Sequence, residues 1–303
     1  MNISIIIVNW NTKDLLRDCL DSIYKTIDPL TYEIIVVDNA SSDGSMAMLA
    51  AEYPQVKIIA NKENRGFGAA NNQGFAVMEG RYALLINTDA ILTAGAVQKL
   101  WDFAEANPRA AIVCGQLLNA DGSKQNSIAA FPTLLTLAVN TSLLEYLFPR
   151  RYPSKRYGHA GPLEVDSAIG ACMMIRKKAL DEVSFFDDRY FFFFEETDMA
   201  YAMNRAGWRI YQVPDALIYH LQGQSIGHNA RSRIEFYRSR YQFLRKWYGG
   251  MYYRTASLII FLRLIADALL NAVGVVFTLG LVTSLRQKMV VYVQIIKWHF
   301  CDR

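Results

Sequence analysis

Tyr82-Ala83-Leu84-Leu85-Ile86-Asn87-Thr88-Asp89 is the stretch from which the fold of this chain is read. It opens as an apolar run, Ala83 to Ile86, and stops at a polar cluster, Asn87-Thr88-Asp89. Short apolar runs that end this way are buried strands of a parallel sheet. In open α/β sheets, ligands collect beyond the carboxyl ends of such strands. Asp89 thus has two available jobs. It can cap the helix that begins after Thr93, or it can face the phosphates or metal ion of a bound molecule.

The same pattern recurs on the N-terminal side. Ile3 to Val8 is a continuous β-branched run ending at Asn9-Trp10-Asn11. Thr12 then offers an N-cap, and Leu15, Leu16, Cys19, Leu20 and Ile23 follow at helical spacing. Glu33 to Val37 ends at Asp38-Asn39, and Ser41-Ser42-Asp43-Gly44 turns into a helix around Met46 to Glu52. Val56 to Ala60 is a third strand, followed by Asn61 to Gly68 and a helix through Met78. After Asp89 comes a helix from about Ala94 to Ala106, stopped by Asn107-Pro108. Strand and helix alternate four times, which predicts an α/β fold: a doubly wound, mostly parallel sheet flanked by helices.

The pattern then loosens. Ile112 to Leu118 reads as a strand with a hairpin turn at Asn119-Ala120-Asp121-Gly122. Phe131 to Gly161 holds Pro132, Pro149 and Pro153 and is expected to form loops over a site. Val165 to Ile175 is extended but broken at Gly170-Ala171, Arg176 to Val183 is a short helix, and Glu195 to Arg205 is helical up to Gly207. Trp208 to Val213 and Ala216 to Tyr219 read as two strands, the second ending at His220.

Bulk properties narrow the function. At 303 residues the chain holds one large domain, or a domain with an appendage. No GxGxxG follows the first strand, and no GxxxxGK[ST] occurs, which argues against ordinary dehydrogenases and P-loop enzymes. Cys19, Cys114 and Cys172 sit among apolar residues without metal-binding spacing and read as buried thiols in a reducing compartment. The N-terminus lacks a basic region and a small-residue cleavage site, so no signal peptide is expected. Residues 1–230 carry 20 Lys/Arg against 25 Asp/Glu, whereas residues 231–303 carry 12 against 3. A basic, apolar tail on a mildly acidic body points to an anionic surface, and its long uncharged stretch favours a membrane over nucleic acid.

Three strand ends, Asn9/Asn11, Asp38/Asn39 and Asn87/Asp89, would line one crevice if neighbouring in the sheet. Short acids and amides there suit the donors and acceptors of a nucleotide. Glu195, Glu196 and Asp198 form a like-charge cluster at a helix start, behind the aromatic run Tyr190 to Phe194. A helix dipole welcomes such acids, but an apolar wall also raises a carboxyl pKa toward that of a useful base. His220 alone suggests little. Paired with Asp89 it becomes a candidate ligand set for a divalent cation that bridges phosphates, Mn2+ or Mg2+ rather than a closed zinc site.

Taken in order, these residues resemble the family 2 glycosyltransferases of GT-A fold, in particular the rhamnosyltransferase-like branch. The resemblance runs through Ile5 to Asn11, Val36 to Gly44, Asn64 to Gly68, and Leu85 to Asp89. It continues in Val165-Asp166, Gly170 to Arg176, Phe186-Asp187, Phe194 to Asp198, Gly207-Trp208 and His220. It implies a nucleoside-diphosphate sugar donor, a divalent metal and an inverting single displacement. Asp38 would hold the nucleoside with Asn9, Asn11 and Arg65 nearby, and Asn87-Thr88-Asp89 matches the family's DXD-type motif. Asp89 and His220 would then be the metal ligands, Glu196 the general base, and Asp166, Gly170 and Ala171 part of the donor and acceptor subsite. Three departures stand out. Glu196 replaces the usual Asp, which leaves Glu195 and Asp198 as alternative bases, and Ser167 stands where the family often has Trp. His220 is also followed by Leu221-Gln222-Gly223 instead of a glycine pair.

The expected organisation is a GT-A domain over residues 1–230, with a nucleotide-binding half (1–110) and an acceptor and catalytic half (111–230), then a helical tail (231–303). In the tail, Arg231 to Tyr248 reads as a basic helix, and the 18 residues from Ala268 to Leu285 carry no formal charge. That length is at the lower edge for crossing a bilayer, roughly 17–25 residues. An interfacial segment, a spanning helix and an oligomerisation helix, giving a homo-oligomer, all fit. The reading is a cytoplasmic enzyme at the inner face of the cell membrane. It would move a sugar, rhamnose by family branch, to a glycan or polyprenyl-linked acceptor in bacterial surface polysaccharide synthesis. The alternatives are a sugar-nucleotide-binding protein without turnover and a sugar nucleotidyltransferase.

Overall fold

The computed structural model describes residues 1–155, 161–221 and 230–301. The alternating N-terminal pattern is present: β1 (Ile3–Asn9), α1 (Lys13–Thr26), β2 (Tyr32–Asp38), α2 (Ser45–Glu52), β3 (Lys57–Ala60), α3 (Phe67–Val77) and β4 (Tyr82–Ile86). Next come β5 (Ala90–Leu92), α4 (Ala96–Ala106), β6 (Ala110–Leu118), β7 (Ile128–Ala129), α5 (Leu134–Ala138) and α6 (Thr141–Leu147). Then follow β8 (Leu163–Val165), β9 (Ser167–Ala168), β10 (Cys172–Arg176), α7 (Lys177–Val183), α8 (Glu195–Arg205) and β11 (Arg209–His220). The chain closes with α9 (Ala230–Trp247), α10 (Gly250–Phe277) and α11 (Thr283–Cys301).

The chain divides into two compact units, Met1–Phe131 with Pro149–Ser225, and Pro132–Phe148 with Ile226–Arg303. The first is built on a nine-stranded sheet in the order β3-β2-β1-β4-β10-β6-β11-β5, with β8 added on β11. β3, β2, β1 and β4 are parallel, β10 runs against both β4 and β6, and β6 and β11 are parallel again. Ile3, Ile5 and Ile7 pack into one apolar cluster and Ile6 into the other, on opposite faces of the sheet. Burial on both faces is why β1 reads as an unbroken apolar run instead of an alternating one. Cys19, Cys114 and Cys172 are buried thiols, as expected, and burial raises the pKa of each.

Two stretches differ from the sequence reading. The two strands expected over 208–219 form one strand, β11, whose register against β6 shifts between Gln212 and Leu217. Pro214 lies in that interval and has no N–H to give the ladder, so the strand bulges instead of ending. β6 accommodates the bulge through Gly115, where a Cβ would lie 2.2 Å from the Ala216 carbonyl oxygen. The proline-bearing stretch expected to be loops contains α5 and α6, both in the second unit. Their starts are specified locally: Thr133 and Thr136 form a reciprocal capping box, and the Asn140 side chain accepts from Ser142 N.

In the second unit, Leu137, Tyr241, Leu244, Ala256, Ile260 and Trp298 form one apolar cluster. Arg263 donates to the carbonyls of Leu137 (2.9 Å) and Val139 (3.1 Å), two groups the C-terminus of α5 would otherwise leave open. The expected basic helix is α9. The uncharged stretch, by contrast, is not one helix. It comprises the end of α10, a turn and the start of α11.

Candidate active site

The three polar strand ends do meet. β1 lies between β2 and β4, and Asn9 is directly opposite Asp38 in the register. Asn9 Nδ2 donates to Asp38 Oδ1 (2.8 Å) and to Ser41 Oγ (3.0 Å). Ser41 N donates to Asp38 Oδ2 at 2.9 Å. The Thr12 hydroxyl donates to Asn9 Oδ1 (2.9 Å) and lies 3.0 Å from Thr88 Oγ1, which ties β1 to the Asn87-Thr88-Asp89 corner. Thr12 therefore does not cap α1 with its side chain, as the sequence suggested. Asp43 accepts from Lys13 N instead, at 2.7 Å. Asn11, at φ 54°, accepts from Ser42 N (2.7 Å) and fixes the loop after β1 against the loop after β2. Arg65 is exposed and makes no ion pair among the described residues.

Asp89 and His220, distant in sequence, are brought together by a three-residue strand that composition does not reveal. β5 pairs antiparallel with the end of β11, with Ala90 opposite His220, and Leu221 N donates to the Asp89 carbonyl (2.8 Å). His220 Nε2 stands 3.3 Å from Asp89 Oδ1, both residues buried.

The tautomer of His220 follows from its other neighbour. Gln125 Nε2 donates to the His220 backbone oxygen (2.5 Å), which can only accept, and this turns Gln125 Oε1 toward His220 Nδ1 at 3.0 Å. Nδ1 must then carry a hydrogen, which leaves Nε2 as the ring nitrogen that meets the carboxylate. A proton on Nε2 or a shared cation would each suit the 3.3 Å approach of these two groups. Two ligands bonded side by side to one Mg2+ or Mn2+ at about 2.1 Å would be about 3 Å apart, so the pair fits such an ion. Among the described residues, no group of three or more His, Cys, Asp or Glu could hold a metal by itself. This pair would leave the remaining positions to oxygens from a ligand and water.

The acids of α8 take separate places. Asp198 is buried and accepts from the Tyr190 hydroxyl (3.1 Å). Glu195 is buried beneath α3, its Cβ 3.6 Å from where a Gly68 Cβ would be. Burial, then the neighbouring Glu196, pushes the Glu195 carboxyl well above its ordinary pKa. Glu196 is only partly enclosed. Burial pushes it up to about 7, against the pull of its own backbone N–H and that of Gly170. Oε2 of each glutamate is buried without a hydrogen-bond partner among the described residues. Ala171, next to Gly170, accepts from Asn87 N at 2.9 Å, so two short links join Glu196 to the end of β4.

The aromatic run before α8 is strained. Phe193 (φ 67°) and Phe194 (φ 71°) are both left-handed, a conformation that costs a bulky residue roughly 1–2 kcal/mol. Phe191 O accepts from Phe67 N (3.2 Å), and a Cβ on Gly66 would lie 2.5 Å from that oxygen, which is why glycine precedes α3.

Asp166 accepts from Phe131 N (3.0 Å) and pairs with Arg151 (3.1 Å). Ser167, in the position of the family's common Trp, is buried. Gln222 and Gly223 lie outside the described residues. Sequence reading missed Gln125 and Ser41 as partners of the site. Ser41 was within the quoted stretch after β2, but nothing local marks Gln125.

The sheet architecture recurs in known structures. The mannosyltransferase PcManGT from Pyrobaculum calidifontis, solved with GDP-Man and Mn2+, superposes with a TM-score of 0.62 at 18% identity, covering 100% of this chain and 88% of that one. The 1–349 portion of S. aureus TarS matches with a TM-score of 0.55 at 16% identity, over 86% of this chain and 69% of that one. At such identity the likeness concerns the fold. Among curated proteins, the N-acetylglucosaminyl-diphospho-decaprenol L-rhamnosyltransferase of Mycobacterium tuberculosis is 28% identical over 233 residues, 72% of this chain and 76% of the relative. The family model "Glycosyl transferase family 2" matches residues 4–184, from β1 into the helix after β10. The sheet, the polar strand ends and this match agree: the chain belongs to glycosyl transferase family 2 and is a glycosyltransferase.

Proposed function

We propose that this glycosyltransferase is an inverting, metal-dependent enzyme. It takes a sugar, rhamnose the first candidate, from a nucleoside-diphosphate sugar to a glycan or polyprenyl-linked acceptor at the inner face of the cell membrane. Residues 1–230 would be the transferase domain and residues 231–303 the segment that meets the membrane. The observation that carries the reading is the facing of His220 Nε2 and Asp89 Oδ1 at 3.3 Å, with Glu196 linked to the same strand end through Gly170 and Ala171.

Asn9, Asn11, Asp38 and Arg65 surround the strand ends where the nucleoside would lie, and Asn87 and Asp89 face its diphosphate. Asp166, Gly170 and Ala171 border the sugar and acceptor. A divalent cation, Mn2+ or Mg2+, held by Asp89 and His220 would neutralise the charge that grows on the departing diphosphate. Glu196 removes the proton of the acceptor hydroxyl as that oxygen bonds the anomeric carbon. The bond from that carbon to the phosphate oxygen breaks on the opposite face, and the nucleoside diphosphate departs. A base whose pKa is about 7 is half ionised near neutral pH, which suits proton transfer there. Glu195 is more enclosed and Asp198 is engaged by Tyr190, which favours Glu196 among the three acids.

Melting the protein with a panel of nucleotide sugars, with and without Mn2+, tests the proposal. One donor should raise Tm strongly, and only when the metal is present. Equal shifts with and without metal would refute metal dependence.

A further inference from the structure

The second unit holds a feature that transferase chemistry does not use. α10 is long and apolar enough to cross a membrane. Its charged residues, Arg254, Arg263 and Asp267, all lie before its last ten residues, and no formal charge follows until Arg286 and Lys288. Those ten residues, the turn and the start of α11 make up the uncharged stretch. α11 returns along α10: Asn271 Nδ2 donates to Leu285 O (3.0 Å), while Phe261 packs on Phe300 with ring centroids 5.5 Å apart. Positions later in α10 thus meet positions earlier in α11, and the pair is an antiparallel hairpin. At the far end of α11, His299 Nε2 lies 2.9 Å from the Tyr241 hydroxyl of α9, so the chain comes back to the helix that precedes the hairpin.

The hairpin tip is apolar and open, with Val276 72%, Phe277 83%, Leu279 85% and Leu281 80% exposed. The first four N–H groups of its turn are nonetheless paired within it. The N–H groups of Thr278, Leu279, Gly280 and Leu281 donate to the carbonyls of Gly274, Val276, Val275 and Thr278, and the Thr278 hydroxyl also donates to Gly274 O (2.8 Å). Such a cap also ends helices in water, and it eases the turn into apolar surroundings, where an unpaired peptide group is expensive. Charge sets the depth. Only Thr283 to Leu285, about 4.5 Å of helix, part the turn from Arg286, so the tip enters the interface and the outer acyl chains of one leaflet. Arg286 and Lys288, exposed where α11 leaves the tip, suit anionic headgroups.

We propose that the α10–α11 hairpin dips into a single leaflet of an anionic membrane and returns without crossing it. The inference rests on the membrane partner proposed above but fails separately from it. The stretch that would barely span as one straight helix is folded in two, with its apolar tip among the outer acyl chains of one leaflet.

The test uses the full chain with Cys301→Ser, carrying an NBD fluorophore at Phe277→Cys or at Gln294→Cys, and vesicles of phosphatidylglycerol and phosphatidylcholine. The Phe277 label should shift to the blue and be quenched by brominated acyl chains. The Gln294 label should be reduced at once by dithionite added outside. Leu281→Asp should lower vesicle binding by about tenfold or more with Tm unchanged. A Gln294 label protected from external dithionite would mean that the chain crosses, and would overturn the proposal. So would vesicle binding with the Phe277 label still in water, which leaves the membrane partner standing. A blue shift that rises with protein concentration without vesicles would assign the tip to a second copy of the chain. Absence of vesicle binding would remove both the membrane partner and the hairpin's role.

Discussion

Two groups of buried polar side chains in the sheet unit follow opposite rules. At the ends of β1 and β2, Asn9, Asp38, Thr12 and Ser41 bond one another, and both Asp38 oxygens are engaged. At the start of α8, Glu195 and Glu196 each keep a buried oxygen without a hydrogen-bond partner among the described residues, behind two phenylalanines in left-handed conformation. A satisfied network fixes a shape, whereas an unsatisfied acid holds a raised pKa that chemistry can use. The contrast separates the residues that build the crevice from the one proposed to act in it.

Replacing Glu196 by Gln should break this contrast most visibly. Turnover should fall roughly 100- to 10,000-fold with donor binding retained. In the wild type, kcat/KM should climb with pH and level off above about 7, because the base works ionised. Stability should move the other way. The folded carboxyl titrates near 7 against an ordinary 4.5, so folded and unfolded chains are both protonated at acid pH and no penalty applies there. Between about pH 4.5 and 7 the unfolded chain ionises while the folded carboxyl keeps its proton, so stability falls across that window and levels off above about 7. Glu196→Gln should therefore be more stable than wild type by about 2 kcal/mol at pH 8, and the gain should vanish by about pH 4. Urea melts at the two pH values check the sign, and a variant less stable at pH 8 would count against a raised pKa.

A smaller effect is expected at Gln125, which orients His220 without facing the metal position. Gln125→Leu should weaken Mn2+ binding roughly 10- to 100-fold and, by stranding the His220 carbonyl and Nδ1, lower metal-free stability by about 1–3 kcal/mol. Unaltered Mn2+ affinity by titration calorimetry would show that the His220 ring needs no such support. Asn9→Ala should have the smallest effect on the chemical step and act on folding, lowering stability by roughly 1–3 kcal/mol through the stranded Asp38 oxygen. If turnover instead collapsed with stability intact, Asn9 would belong to the acting group.

What could be read in the sequence was what is encoded locally. A buried strand and its polar stop lie within a few residues, so the ends of β1, β2 and β4 were visible, and their convergence needed only the parallel alternation. β5 has three residues, too short to register as a strand, yet it sets Asp89 beside His220. Gln125 acts 95 positions away from His220 and carries no local mark. The uncharged tail stretch was read as a line because charge says nothing of direction. Its turn is marked only weakly, because Leu279 (φ 49°) takes the left-handed position after α10 that glycine commonly fills, with Gly280 (φ 69°) next to it. The opposite holds for residues 208–219, which read as two strands where the chain bulges and continues as one.

The proposal that Asp89 and His220 converge on one cation is the claim on which the proposed catalysis rests. Electron spin echo spectroscopy of Mn2+ bound to the protein with its donor tests it most directly, because a ligating imidazole nitrogen modulates the echo. The account predicts nitrogen modulation in wild type that disappears in His220→Ala. Mn2+ bound in the presence of donor but showing no nitrogen coupling in wild type would contradict it.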